Sequence, residues 1–114
     1  MLKSTFAYKA QAGVCEIMAS FRNESTDRLF ETMNSLSSVE EFYAFFEDLC
    51  TIKEIQDMAQ RLDTVILLDK GESYNNIAAK VGVSTATISR VSKCLNYGSG
   101  GYKNALNKMK EKDQ

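Results

Sequence analysis

Nothing in the chain forbids helix, because it contains no proline anywhere. Proline removes a backbone donor and breaks a helix interior, so its absence leaves long helices open. Glycine does the punctuating instead. Gly71, Gly82 and the run Gly98-Ser99-Gly100-Gly101 all fall after residue 70, with Gly13 the outlier. The pattern predicts an all-α fold whose breaks come late in the chain.

Apolar spacing points the same way. Leu29, Phe30 and Met33, with Leu36 just beyond, recur at helical intervals over residues 24–35. Ser38-Val39-Glu40-Glu41 has the form of a capping box, in which the hydroxyl accepts a first-turn N–H and the glutamate reaches back. It opens a helix with Phe42, Phe45, Phe46 and Leu49 on one face. That spacing is what core packing requires, so the rings read as core and not as a base-stacking platform. Thr51-Ile52-Lys53-Glu54 is a second capping box. It opens a long helix to about Lys70, with a stripe of Ile52, Ile55, Ala59, Leu62 and Ile66 that Met58 and Val65 widen. Gly71 supplies its C-terminal cap. This helix is more apolar than one neighbouring helix requires, which predicts a dimer interface in addition to the monomer core. Residues 1–22 show no such period. They read as a weakly structured extension or a dimer arm, leaving 23–112 as the helical domain.

At 114 residues the chain has room for one domain of ordinary size. Its 44% apolar and 25% charged residues balance as in a soluble globular protein. The apolar run Val65-Ile66-Leu67-Leu68 falls far short of the ~20 residues of a membrane span, and Lys9 interrupts any secretory signal. Cys15, Cys50 and Cys94 are scattered and odd in number, which fits a reducing compartment. Each is expected to be a buried or half-buried small apolar residue. The expected location is cytoplasmic. With no histidine and no CxxC pair, a metal site is excluded. No cofactor is expected, and no enzyme: there is no carboxylate pair beside a nucleophile and no phosphate-cradling glycine loop. The Gly98–Gly101 run follows a helix and reads as a connector.

The net charge of −1 hides an asymmetry. From residue 84 onward six basic residues face two acids, and before it eight basic residues face thirteen. Such a split is a hint of a nucleic-acid face. The last four lysines, at 103, 108, 110 and 112, read as the solvated side of a C-terminal helix.

The functional signal lies at about residues 73–94. There the sequence meets each steric demand of a helix-turn-helix. Ile77 and Val81 face inward, and Ala78 is small where two helices would cross. Gly82 stands in the turn, where a positive φ excludes most side chains. Val83 plugs the turn, Ser84 caps the second helix, and Ile88, Val91 and Leu95 anchor it. The outer face is then Thr85, Ala86, Ser89, Arg90 and Lys93, with Thr87 at its flank and no acid from Ser73 to Leu95. A methyl, short hydroxyls and two cations suit the edges of bases in a major groove. Asn75, Asn76 and Lys80 on the first helix would lie near phosphates.

The sequence resembles the tryptophan-repressor superfamily, in particular its YerC/YecD branch. The resemblance is carried by Phe42–Leu62 (FYAFFEDLCTIKEIQDMAQRL), Ser84–Arg90 (STATISR) and Cys94–Gly98 (CLNYG). It runs from about Asp27 to Met109. It implies six helices per subunit, an intertwined homodimer, and regulation of transcription, as a repressor, at a roughly palindromic operator on double-stranded DNA. Arg61 and Arg90 match two arginines that sandwich a corepressor indole in the family, and Thr51 and Thr87 match further pocket positions. Two positions depart. Val91 stands in place of a glycine, where its branched side chain would occupy indole space, and Cys94 stands in place of a serine that helps hold the ligand amino group. L-tryptophan is therefore not the expected effector, and the sequence names no other. Arg61 is also placed to pair with Asp57, four residues earlier, or to contact phosphate.

The function expected is that of a sequence-specific DNA-binding regulator acting as a homodimer. The alternative is a helical protein-interaction module that uses the same hairpin without sequence-specific DNA binding.

Overall fold

The computed structural model describes residues 21–113, so the extension expected over residues 1–22 lies outside the described residues apart from Phe21 and Arg22. Six helices and no strand occur among the described residues: α1 (Glu24–Asn34), α2 (Val39–Leu49), α3 (Ile52–Asp69), α4 (Tyr74–Val81), α5 (Thr85–Tyr97) and α6 (Gly101–Lys112). The all-α fold expected from the missing proline is the fold found. Contacts divide the chain into two units, one up to Thr51 and one from Ile52 onward.

In the first unit, α1 starts from a reciprocal cap. The Asn23 side chain accepts from the Thr26 N–H at 2.9 Å, and the Thr26 hydroxyl accepts from the Asn23 N–H at 2.9 Å. Threonine here does the work usually given to Glu or Gln. At α2, the Ser38 hydroxyl accepts from the Glu41 N–H at 3.2 Å, as expected. The return arm differs: Glu41 accepts from the Ser37 N–H at 3.0 Å, one residue earlier than the capping box predicts. The Phe45 and Phe46 rings meet edge to face at 5.8 Å. Yet no residue of α1 or α2 is buried, and Phe42 is 37% exposed. The expectation that these rings form a core is not met inside this unit, because two short helices alone do not enclose an apolar face.

The second unit does enclose one. Val65 of α3, Val91 of α5 and Leu106 of α6 form a buried cluster, against which Ile66, Leu68, Leu95, Tyr102 and Met109 pack. Ile77 of α4 and Ile88 of α5 are fully buried. The long helix ends as predicted at Gly71, φ +86°, whose N–H bonds to the Leu68 carbonyl while the Glu72 N–H reaches back to Leu67. This pair of bonds is a Schellman cap. The expected stripe of α3 is covered unevenly. Thr64 and Val65 are buried and Ile66 packs against the cluster, whereas Ile52 is 71% and Leu62 37% exposed. At 100° per residue Val65 lies at the edge of the stripe, so α3 carries one broad apolar face that the second unit covers only near Val65 and Ile66.

Candidate nucleic-acid interface

The helix-turn-helix is built by three backbone devices in a row. The Ser73 hydroxyl accepts from the Asn76 N–H at 3.1 Å and starts α4. Gly82 then takes φ +86°, and its N–H closes on the Ala78 carbonyl at 2.9 Å. Three residues, Gly82, Val83 and Ser84, separate the helices before Ser84 caps α5 through the Thr87 N–H at 3.1 Å. A Cβ at Gly82 would meet nothing within 4 Å, so the glycine is required by φ alone. The hairpin is fastened to α3 by packing and by Gln60, whose side-chain amide donates to the Val81 carbonyl at 3.5 Å.

All ten residues expected to face DNA lie in the second unit, on α4, the turn or α5. Asn75, Asn76, Lys80, Ser84, Thr85, Ala86, Ser89, Arg90 and Lys93 are exposed. Thr87 is half-buried, and the Ser84 hydroxyl donates to its hydroxyl at 3.1 Å. Ser84 thus spends its hydroxyl proton on Thr87. Lys80 is drawn to Glu72 at 3.3 Å, whereas Arg90 and Lys93 form no ion pair among the described residues.

Arg61, Thr87, Arg90, Val91, Cys94 and Tyr102 line one recess of about 300 Å³ beside α5. Three of the four residues matched to an effector pocket therefore share a wall, while Thr51 belongs to the first unit and is exposed. Val91 is 2% exposed and faces both the core and the recess. Asp57 does not pair with Arg61. Its carboxylate takes Lys53 at 2.8 Å, an alternative i,i+4 partner on the other side in sequence. Cys50 is half-buried as expected, but Cys94 is exposed on the recess wall.

Two residues escaped sequence reasoning. Tyr97, 83% exposed, continues the row of Ala86, Arg90 and Lys93 at helical spacing. Extending the helix one turn past Lys93 would have found it. Tyr102 reaches the recess from beyond the glycine connector, and no periodicity crosses that break.

Two helices joined at a three-residue turn, with an exposed and acid-free outer row on the second, define a helix-turn-helix protein. The chain belongs to the Trp repressor protein family, which matches residues 24–110. It is 51% identical over 90 residues to the uncharacterized protein YerC of Bacillus subtilis, covering 79% of this chain and 86% of that one. Its fold is similar to that of a TrpR-like protein from Eubacterium eligens, with a TM-score of 0.77 and 41% identity, over 79% of this chain and 93% of that one. A proposed Trp repressor from Staphylococcus aureus is equally similar, with a TM-score of 0.78 and 40% identity, over 82% and 93%. The resemblance read from the sequence is thus the family found. No helix among the described residues is long and apolar enough to cross a membrane.

Proposed function

We propose that the chain is a sequence-specific, DNA-binding transcriptional repressor of the cytoplasm, acting as an intertwined homodimer of its 23–112 domain at a palindromic operator. The observation that carries this reading is the outer row of α5. Ala86, Ser89, Arg90 and Lys93 are exposed beside a tightly built turn, with no acid between Ser73 and Leu95. Ala86 meets a thymine methyl, Thr85 and Ser89 bond to base edges, and Arg90 or Lys93 reaches guanine or phosphate. Asn75, Asn76 and Lys80 position α4 on the backbone. The dimer is supported by large apolar side chains left exposed in each unit, Phe30 and Leu49 in the first and Ile52 and Leu62 in the second. Arg61, Thr87 and Arg90 are what persists of an effector pocket, and L-tryptophan is not its ligand.

Selection of duplexes from a random pool tests the reading directly. An enriched, two-fold symmetric sequence is expected. Two unpaired cations per subunit, Arg90 and Lys93, make four in a dimer, so log K should fall with log salt at a slope of about −4. Arg90→Ala with Lys93→Ala should abolish the enrichment while leaving the helical content unchanged. Undiminished binding by that double variant, or no enriched sequence from the wild type, overturns the proposal.

A further inference from the structure

The recess beside α5 has one aromatic wall, and it comes from the far side of the glycine turn. Tyr102 is the second residue of α6 and is half-buried. It packs against the cluster of Val65, Val91 and Leu106, and it also lines the recess with Arg61 and Arg90. Its ring therefore stands between the recess and the core. The cluster joins α3, α5 and α6, so the ring bears on the junction that sets the tilt of α5 on α3.

The turn before it is built for close return. A Cβ on Gly98 would run into the Cys94 carbonyl, and Gly100 takes φ +93°. These two glycines let α6 double back along α5 and place Tyr102 behind the wall that carries Thr87 and Arg90.

We infer that Tyr102 is an internal strut that holds α5 in its DNA-reading position without a bound small molecule, so that operator binding is effector-independent. The inference rests on the DNA-binding reading above. Physically, a side chain that fills the inner end of a recess supplies the packing a ligand would otherwise bring, and it does so at no translational entropy cost. Removing it opens the recess onto the apolar cluster behind it, leaving space that a small aromatic ring can refill.

The test is chemical rescue. Tyr102→Ala keeps Cβ and removes the phenol ring, and p-cresol, that ring bearing one methyl, is the probe. If the competent fraction falls to about one tenth, duplex affinity falls about tenfold. Amide exchange in α4 and α5 should quicken in the same variant. Millimolar p-cresol should reverse both changes in Tyr102→Ala and do nothing to the wild type. Tyr102→Phe, which keeps the ring, should stay within about twofold of wild type. Wild type unfolded, dialysed and refolded should bind DNA as before. Should Tyr102→Ala fail to fold, Tyr102→Leu keeps apolar packing without the ring and carries the same comparison. Refolded wild type that binds only after small molecules are restored overturns the inference, as does a ring-free variant with wild-type exchange and affinity. If wild type binds no duplex at all, the DNA-binding reading fails, and exchange with and without p-cresol still decides the strut.

Discussion

The two units differ in burial but not in composition. Apolar residues fill 13 of the 31 positions from Phe21 to Thr51 and 25 of the 62 from Ile52 to Asp113. Five apolar side chains of the second unit are at most 5% exposed, whereas α1 and α2 bury none. Four helices around one cluster close on themselves; two helices leave their apolar faces open. Phe30 (51%) and Leu49 (49%) of the first unit, and Ile52 (71%) on the uncovered side of α3, are left in water at a cost that about 25 cal/mol per Å² makes substantial. Large apolar side chains exposed in this way mark an interaction surface. The lesson is that the second unit folds around its own residues, while α1, α2 and the outer face of α3 need a partner, which in the proposed function is a second copy.

The sharpest way to break that contrast is to charge the uncovered face. Leu62→Glu would place a carboxylate in a dimer seam, at a cost of several kcal/mol if no partner is supplied. Light scattering should show the mass falling from about twice the 12.8 kDa of one chain to a single chain. A protein that keeps its mass and melting temperature would show that this face needs no cover. Next in size is the enclosed side. Ile88 is 0% exposed on α5, and Ile88→Ala should cost about 2–5 kcal/mol in denaturant unfolding. A loss below about 1 kcal/mol would mean that the second unit is packed no better than the first.

Smaller, and confined to the helix-turn-helix, is the turn. Gly82→Ala meets no atom within 4 Å, so its expected cost of about 1–2 kcal/mol is the left-handed backbone alone. Thermal melts would register it, and duplex affinity should fall with it. An unchanged melt would mean that the turn tolerates another conformation.

The sequence made legible whatever depends on local chemistry. Gly71 and Gly82 sit at positive φ where a helix must stop, and Ser38, Ser73 and Ser84 cap where a hydroxyl precedes an apolar run. The row from Ala86 to Lys93 follows from periodicity once Ile88 and Val91 are placed inside. What the sequence hid depends on competition or on distance. Asp57 had two cationic neighbours at four-residue spacing, Lys53 and Arg61, and periodicity does not choose between them. Which part of the α3 stripe is covered was hidden too, because periodicity alone does not say where along the helix α5 and α6 meet it. Tyr102 was invisible as a wall of the recess because its place depends on how tightly the Gly98–Gly101 turn folds back. The exposed outer row of α5 was readable from its periodicity, whereas the recess required the tertiary crossing of α3, α5 and α6.

The weakest contribution tests what anchors α6. Lys110 reaches Asp69 at the end of α3 across 2.9 Å, but its side chain is 60% exposed and that of Asp69 31%. An exposed pair of this kind holds two flexible side chains in one geometry against screening by water and salt, and contributes about 0–1 kcal/mol. Lys110→Ala should therefore lower stability by about 0.5 kcal/mol at low salt and by less in 1 M salt, where the Debye length is about 3 Å. The buried Leu106 and the packed Met109 would then be what keeps α6, and with it Tyr102, against the core. A loss well above 1 kcal/mol that vanishes in salt would reverse that assignment. It would make the second unit's closure partly electrostatic and narrow the contrast with the uncovered helices of the first.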